Sequence, residues 1–235
     1  PLQIYSKDEV LIAEFGEERR DFIAISETPQ QMINAILSIE DRRFFEHPGI
    51  DIIGITRAAL KNISGKSHEG ASTITMQVAR NFFLTSEKTL KRKINEILLA
   101  IKIERTLSKE EILELYVNQI YLGQRSFGFA AAANTYYGKN LDQLNLGETA
   151  LLAGLPKAPS RYNPLVRPQL AINRQRDVLN SMLRHGYIDK PTYIIALDDP
   201  LSLKEKFMKS ELQADYVAEM VRKTLYEEFG DKIYT

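Results

Sequence analysis

Apolar positions along the chain first fall in short β-like runs and then repeat every three to four residues. Leu2–Tyr5 and Val10–Phe15 flank a polar Ser6-Lys7-Asp8 turn and predict a β-hairpin. From Thr28-Pro29 onward the spacing is helical, with Thr28 as N-cap, Pro29 as the first helical residue, and Ile33, Ile36 and Leu37 on one face. Leu90–Arg105 predicts a long helix with Ile94, Ile97, Leu98 and Ile101 toward the core. Ser108-Lys109-Glu110-Glu111 is a capping box opening a helix through Ile112, Leu115 and Tyr116 that ends near Gly123. Gly147–Ala153 predicts a short apolar helix stopped by Gly154 and Pro156. Leu170–His185 is amphipathic and ends at Gly186, and a last amphipathic helix lies near Gln213–Phe229. The pattern predicts a mainly α fold with a short β-hairpin at the N-terminus.

Composition narrows the function more than the fold. The 235 residues suit one large domain, or one domain and a linker, and can bury a sizeable core. Thirty-one Lys+Arg balance thirty-one Asp+Glu, so the chain as a whole offers no argument for nucleic acid. There is no cysteine, and His47, His68 and His185 are too scattered for a histidine-rich metal centre. The longest apolar runs, Ile97–Ile101 and Phe129–Ala133, have five residues, where a spanning helix needs about 20. The chain opens on Pro1 rather than methionine, so a targeting segment removed from this piece is expected.

Three constellations carry candidate chemistry. In the run Glu40 to Gly49, Glu40 follows Ile33 and Ile36 at helical spacing, which places a carboxylate on an apolar face. Desolvation there raises its pKa toward the range of a general base. The plainer alternative is a helix-end residue paired with Arg43 or another cation. In the run Gly70 to Asn81, a glycine followed by Ser72 and Thr73 opens a helix. Such a start suits a phosphate, and equally describes an ordinary Ser/Thr cap. Gln77, Arg80 and Asn81 follow on roughly one face. The third is Lys91-Arg92-Lys93-Ile94-Asn95-Glu96, within a stretch (57–93) that holds eight Lys/Arg against two Glu. It is either an anion cleft in which Arg80, Arg92 and Lys93 meet a dianion, or a solvated basic face with an Arg92–Glu96 surface pair. Gly65-Lys66-Ser67 lacks the first glycine of a phosphate loop, because position 60 is Leu. No Ser-x-x-Lys with a later Lys-Thr-Gly is present, so an acyl-serine transpeptidase site is absent from this chain.

The order and spacing of these residues resemble the peptidoglycan glycosyltransferases of family 51. Glu40-Asp41-x-x-Phe44-x-x-His47-x-Gly49 is similar to the first family motif, and Gly70-x-Ser72-Thr73-Ile74-x-x-Gln77-x-x-Arg80-Asn81 to the second. Arg92-Lys93-x-x-Glu96 resembles the third. Glu111-Ile112-Leu113-Glu114-Leu115-Tyr116-x-Asn118 with Gly123 resembles the fourth, and Arg174-x-x-x-Val178-Leu179-x-x-Met182 the fifth. Met76 stands where many relatives have a second Gln, and Arg80 where many have Lys. The tail from Ala214 to Thr235 resembles the linker before the transpeptidase domain of class A penicillin-binding proteins.

The resemblance implies a lysozyme-like helical core lobe and a smaller jaw lobe including much of residues 50–85, with Phe82-Phe83-Leu84 as an apolar edge that meets lipid. It divides the chain into a β segment (1–25) after a removed anchor, a glycosyltransferase domain (26–200) and a linker (201–235). It implies polymerisation of lipid II into β-1,4-linked glycan with inversion and release of undecaprenyl pyrophosphate. Glu40 would be the base acting on the acceptor hydroxyl. Ser72, Thr73, Gln77, Arg80, Asn81, Arg92 and Lys93 would bind the diphosphate, with Lys157 and Ser160 bordering the donor pocket. Glu96 would help hold the diphosphate, with a divalent cation such as Mg²⁺ or Mn²⁺. His47, Glu114, Tyr116 and Asn118 would shape the cleft. The implied partners are lipid II, the nascent strand, the lipid surface of the bacterial plasma membrane, moenomycin-type inhibitors and a transpeptidase domain of the same parent chain, anchored by an N-terminal helix and facing the extracytoplasmic side. The rival readings are a lysozyme-like hydrolase or lytic transglycosylase, which has no need of the Arg80/Arg92/Lys93 cluster, and a catalytically silent scaffold.

Overall fold

The structure is a computed structural model that describes residues 2–5, 7–8, 11–15, 19–56, 72–83, 89–198, 201–203 and 215–229. It is mostly helical. Strands β1 (Leu2–Tyr5) and β2 (Leu11–Phe15) pair antiparallel as the hairpin pattern predicts, and their register shifts between Ile4 and Tyr5. A two-residue strand, β3 (Arg19–Arg20), pairs in parallel with β4 (Ser126–Phe127).

Helices α1 (Gln30–Glu40), α6 (Leu146–Gly154) and α7 (Pro168–Arg184) pack on one another as one group. All nine residues of α6 are buried, so it forms the centre of the core. Asn145 caps it and forms a capping box with Glu148. The fully buried Glu148 carboxylate also takes both hydrogen bonds of Lys139, at 2.7 and 2.9 Å. A buried acid is tolerable only when paired in this way. Helices α2 (Ile74–Phe83), α3 (Leu90–Thr106) and α4 (Lys109–Gln119) form a second group. The Ser108–Glu111 capping box that opens α4 has both of its bonds. Helices α5 (Phe129–Tyr137), α8 (Lys190–Asp198) and α9 (Asp215–Phe229) lie outside these two groups.

Two sequence expectations change. Thr28 does not cap α1. Its hydroxyl and its N–H both bond the Ala24 carbonyl and close a preceding 3-10 turn, so Pro29 takes the cap position. The long helix α3 is also rotated from its expected face. Of the four residues expected to face the core, Ile94 and Leu98 are exposed and Ile97 and Ile101 are half-buried, whereas Glu96, Ala100 and Ile103 are buried. The apolar count favoured the first stripe, but the buried side of α3 is the one that brings Glu96 and Lys93 against the start of α2. Of the expected jaw, residues 57–71 and Leu84 lie outside the described residues, and Phe82 is partly exposed.

Candidate active site

α1 ends at Glu40 because Asp41 leaves helical geometry, at φ −160° and ψ 78°. The Glu40 side chain is left 11% exposed between the two helical groups. From α2, Gln77 Nε2 donates to Glu40 Oε2 at 2.8 Å. From α7, Arg174 Nη2 lies 3.7 Å from Glu40 Oε1. Burial pushes the Glu40 carboxyl above its ordinary range. The Gln77 hydrogen bond and the positive charges of Arg174, Arg80 and Lys157 work against that rise. Arg43, the partner that the plainer reading offered, binds Glu46 and Asp51 instead, at 2.7 and 3.0 Å.

A second knot fixes where Gln77 stands. The Gly49 N–H donates to His47 Nδ1 at 3.2 Å, so the ring proton belongs on Nε2, which donates to both Asp41 oxygens at 2.9 and 3.0 Å. Asp41 Oδ2 in turn accepts the N–H of Ile74, the first residue of α2, at 3.0 Å. The Thr73 hydroxyl donates to the Gly49 carbonyl at 2.6 Å and accepts the Met76 N–H at 3.1 Å. Gly49 has φ +88°, and a Cβ there would meet Glu104 Cγ at 2.9 Å and the Ala100 carbonyl at 3.0 Å, so only glycine fits. Lys109 closes the knot by donating to the His47 carbonyl and to Glu104, each at 2.7 Å.

The basic stretch forms a third cluster. Lys93 Nζ bonds Glu96 Oε1 at 2.8 Å and Ser72 Oγ at 2.9 Å. Glu96 is 1% exposed and its ion pair runs to Lys93, whose side chain is 41% exposed, rather than to Arg92 as the surface-face alternative had it. Arg92 Nε is buried with no hydrogen-bond partner among the described residues. Arg80 is half-buried, and Asn81, Lys157 and Ser160 are exposed.

The expected phosphate-binding start of α2 is closed by side chains. Thr73 is a buried cap whose hydroxyl is already engaged, and the Ile74 N–H belongs to Asp41. Among the four expected cleft-shaping residues, His47 positions α2. Glu114 and Asn118 face elsewhere. Glu114 accepts the Ile25 N–H at 2.8 Å, and Asn118 bonds both backbone groups of Ile23, at 2.9 and 2.8 Å. That irregular entry segment needs partners for its backbone, and α4 supplies them. Tyr116 is buried, with its ring 6.3 Å from that of Phe129.

The sequence pattern of the transglycosylase family matches residues 8–183, which include every element of this arrangement. The chain belongs to the transglycosylase family. It is 52% identical over its whole length to penicillin-binding protein 1A of Neisseria gonorrhoeae and 51% identical to that of Pseudomonas aeruginosa. It spans 30% and 29% of the length of those two relatives. Its fold is similar to the crystal structure of penicillin-binding protein 1A from Haemophilus influenzae, with a TM-score of 0.55 and 34% identity, covering 99% of this chain and 25% of that one.

Within this transglycosylase site, Arg174 and Asp41 are the residues to which the motif reading gave no role. Arg174 is 6% exposed, and its Nε donates to the Gly154 carbonyl at 3.0 Å. The signal was available, because Arg174 shares the helix face of Val178, Leu179 and Met182, all buried. A cation on an apolar face is as informative as Glu40 itself. The residues present fit a protein-held divalent cation poorly. No group of three His, Asp or Glu side chains is placed for one among the described residues, and the Glu96 carboxylate is already bonded to Lys93.

Proposed function

We propose that this chain is a peptidoglycan glycosyltransferase domain that polymerises lipid II, with Glu40 as the general base. The observation that carries the reading is the Glu40 carboxylate itself, buried, held by Gln77 and faced by Arg80, Lys157 and Arg174. In the reaction, the acceptor's 4-hydroxyl gives its proton to Glu40 while its oxygen bonds the donor's anomeric carbon. The bond from that carbon to the lipid pyrophosphate breaks, the electron pair leaves with the pyrophosphate, and the configuration inverts. Pyrophosphate is a good leaving group, so charge stabilisation matters more than a strong acid. Arg80, Asn81, Arg92 and Lys93, with Gln77 and Ser72, supply it, and Lys157 and Ser160 border the donor pocket. Glu96 orients Lys93 and keeps that ammonium beside Ser72. Thr73 belongs with His47 and Asp41, which set the position of α2. A divalent cation that takes part is carried chiefly by the diphosphate, and none of these steps runs through it.

A retaining hydrolase would want a second carboxylate about 5 Å from the first. Asp41, the adjacent acid, is turned onto His47 and Ile74 instead. No helix among the described residues is long and apolar enough to cross a membrane. The reading places the domain on the outer side of the bacterial plasma membrane, held there by an anchor and joined to a transpeptidase domain in the parent chain. The test is incubation with fluorescent lipid II in detergent and, separately, with preformed glycan. Long ladders that vanish with moenomycin support the polymerase; shortening of preformed glycan without polymer supports the hydrolase and overturns this reading.

A further inference from the structure

Gly154 ends α6 at a position whose backbone does not ask for glycine. Its φ of −81° and ψ of −20° are ordinary right-handed helix, open to any L residue. Alanine is the better helix former there, so the reason for glycine lies in what packs against it. A Cβ at this position would stand 2.8 Å from Arg174 Cγ, 3.4 Å from Val178 Cγ2 and 3.5 Å from Arg174 Nε. Arg174 Cγ sits near the root of its side chain, so it cannot yield without moving the whole residue. The bare Gly154 lets the Arg174 stem lie against the end of α6, where Nε donates to the Gly154 carbonyl at 3.0 Å. The remaining guanidinium nitrogens then take fixed directions, because the group is a planar fork. Nη2 faces Glu40 Oε1 and Nη1 faces Asp177 Oδ2, each at 3.7 Å. The Tyr162 ring centroid lies 5.7 Å from Arg174 Cζ, within cation–π range.

We infer that Gly154 is a positioning residue, whose missing side chain and carbonyl oxygen together seat Arg174 so that its guanidinium meets Glu40. This role rests on Glu40 being the working carboxylate of the proposed reaction. A guanidinium held beside the carboxylate favours its charged form and offsets part of the effect of burial. Other groups act on Glu40 as well. Gln77 and Arg80 face it from α2, and Lys157 from the turn that follows α6. Asp41, its neighbour in sequence, is engaged by His47, and Tyr116 on α4 is held well above the usual phenol range and stays neutral. Gly154 reaches the base only by way of Arg174, through the 3.0 Å and 3.7 Å contacts in series.

The experiment is a titration of the Glu40 carboxyl carbon by NMR, in chain labelled with ¹³C at glutamate side chains. The resonance is identified by its loss in Glu40→Gln. Gly154→Ala is expected to raise the Glu40 midpoint by about one pH unit, and the acid limb of kcat for lipid II moves up with it. In an Arg174→Ala background, which has no Cγ to meet, the same change should leave the Glu40 midpoint alone and the urea midpoint unchanged or higher. An unshifted midpoint in Gly154→Ala overturns the inference. So does a shift that persists without Arg174, since it would run through Lys157. If Gly154→Ala does not fold, Arg174→Lys decides, because it keeps the charge and loses the Nε–H that the Gly154 carbonyl holds. A raised Glu40 midpoint in that variant supports the seat, and an unshifted one shows that charge suffices without it. If the wild type makes no polymer, the proposed function fails, but the titration still reads the link from Gly154 to Glu40, so the two failures are separable.

Discussion

Gln77 and Glu40 meet where two packed groups of helices face each other, with the Gln77 amide donating to the Glu40 carboxylate over 2.8 Å. Each residue ends a different chain of constraints. Glu40 is set by the termination of α1, and Gln77 by the knot of Asp41, His47, Gly49 and Thr73 that fixes the start of α2. The contact therefore reports whether both groups are in register.

Activity should fall on the acid side at a pH above the ordinary carboxylate value of 4.5, because Glu40 must be ionised and burial raises its pKa. The same shift has a stability consequence. A raised folded-state pKa means that the folded chain binds the proton more tightly than the unfolded one, so the stability this group contributes is present at low pH and lost as pH rises through the folded pKa. At neutral pH the charged Glu40 is a burden on the fold. Glu40→Gln should leave the unfolding temperature unchanged or higher while removing turnover, which calorimetry and a polymer assay on the same sample would check.

Arg174→Ala should destabilise the chain by about 2 kcal/mol or more, measured by urea unfolding, because it strips the buried Gly154 carbonyl of its donor. It should also move the acid limb of the rate upward, since a positive charge that lowers the Glu40 pKa is gone. A rate profile that stays in place would reduce Arg174 to a packing residue.

Asp41 and His47 should behave as one unit. In a double-mutant cycle of Asp41→Asn and His47→Ala, the coupling energy is expected to be about 1 kcal/mol or larger, against near-additivity for a control pair far apart. Each single change should lower kcat with little effect on folding of α7, because the knot reaches the chemistry only by way of α2.

The legible parts of this molecule were those in which local chemistry and burial agree. Ser108–Glu111 opens a helix wherever it sits, and Glu40 among Ile33 and Ile36 could face only inward. Helix α3 was misread because counting apolar residues favours Ile94, Ile97, Leu98 and Ile101, whereas the Lys93–Glu96 pair turns toward Ser72, which lies just before α2 and 21 residues away in sequence. Thr73 shows the same limit. Its hydroxyl looked free to meet a phosphate, but the Gly49 carbonyl that occupies it is 24 residues away in sequence. Helix α5 was not marked in advance, since its alanine-rich apolar run has no polar face to show its period.

Lys93 and Glu96 should separate binding from stability. Lys93→Ala leaves a buried carboxylate without its partner and should both destabilise the chain and raise the KM for lipid II about tenfold or more. Adding Glu96→Gln should restore much of the stability and none of the binding. Recovery of both would show that the pair is structural only.

Divalent cations should bind this chain weakly alone and measurably once inorganic pyrophosphate is present, because the one candidate carboxylate is already engaged by Lys93. Titration calorimetry with Mn²⁺, with and without pyrophosphate, reads this directly. Tight binding to the chain alone would point to a protein-held site.

The measurement that bears most directly on Glu40 as the base is a polymer assay of Glu40→Gln against wild type on fluorescent lipid II, with each variant's fold checked by circular dichroism. A folded variant whose polymer yield drops by about a thousandfold or more is the predicted result, in the range expected for loss of a general base together with its charge. A folded variant that still builds long glycan at near wild-type rate would contradict the account.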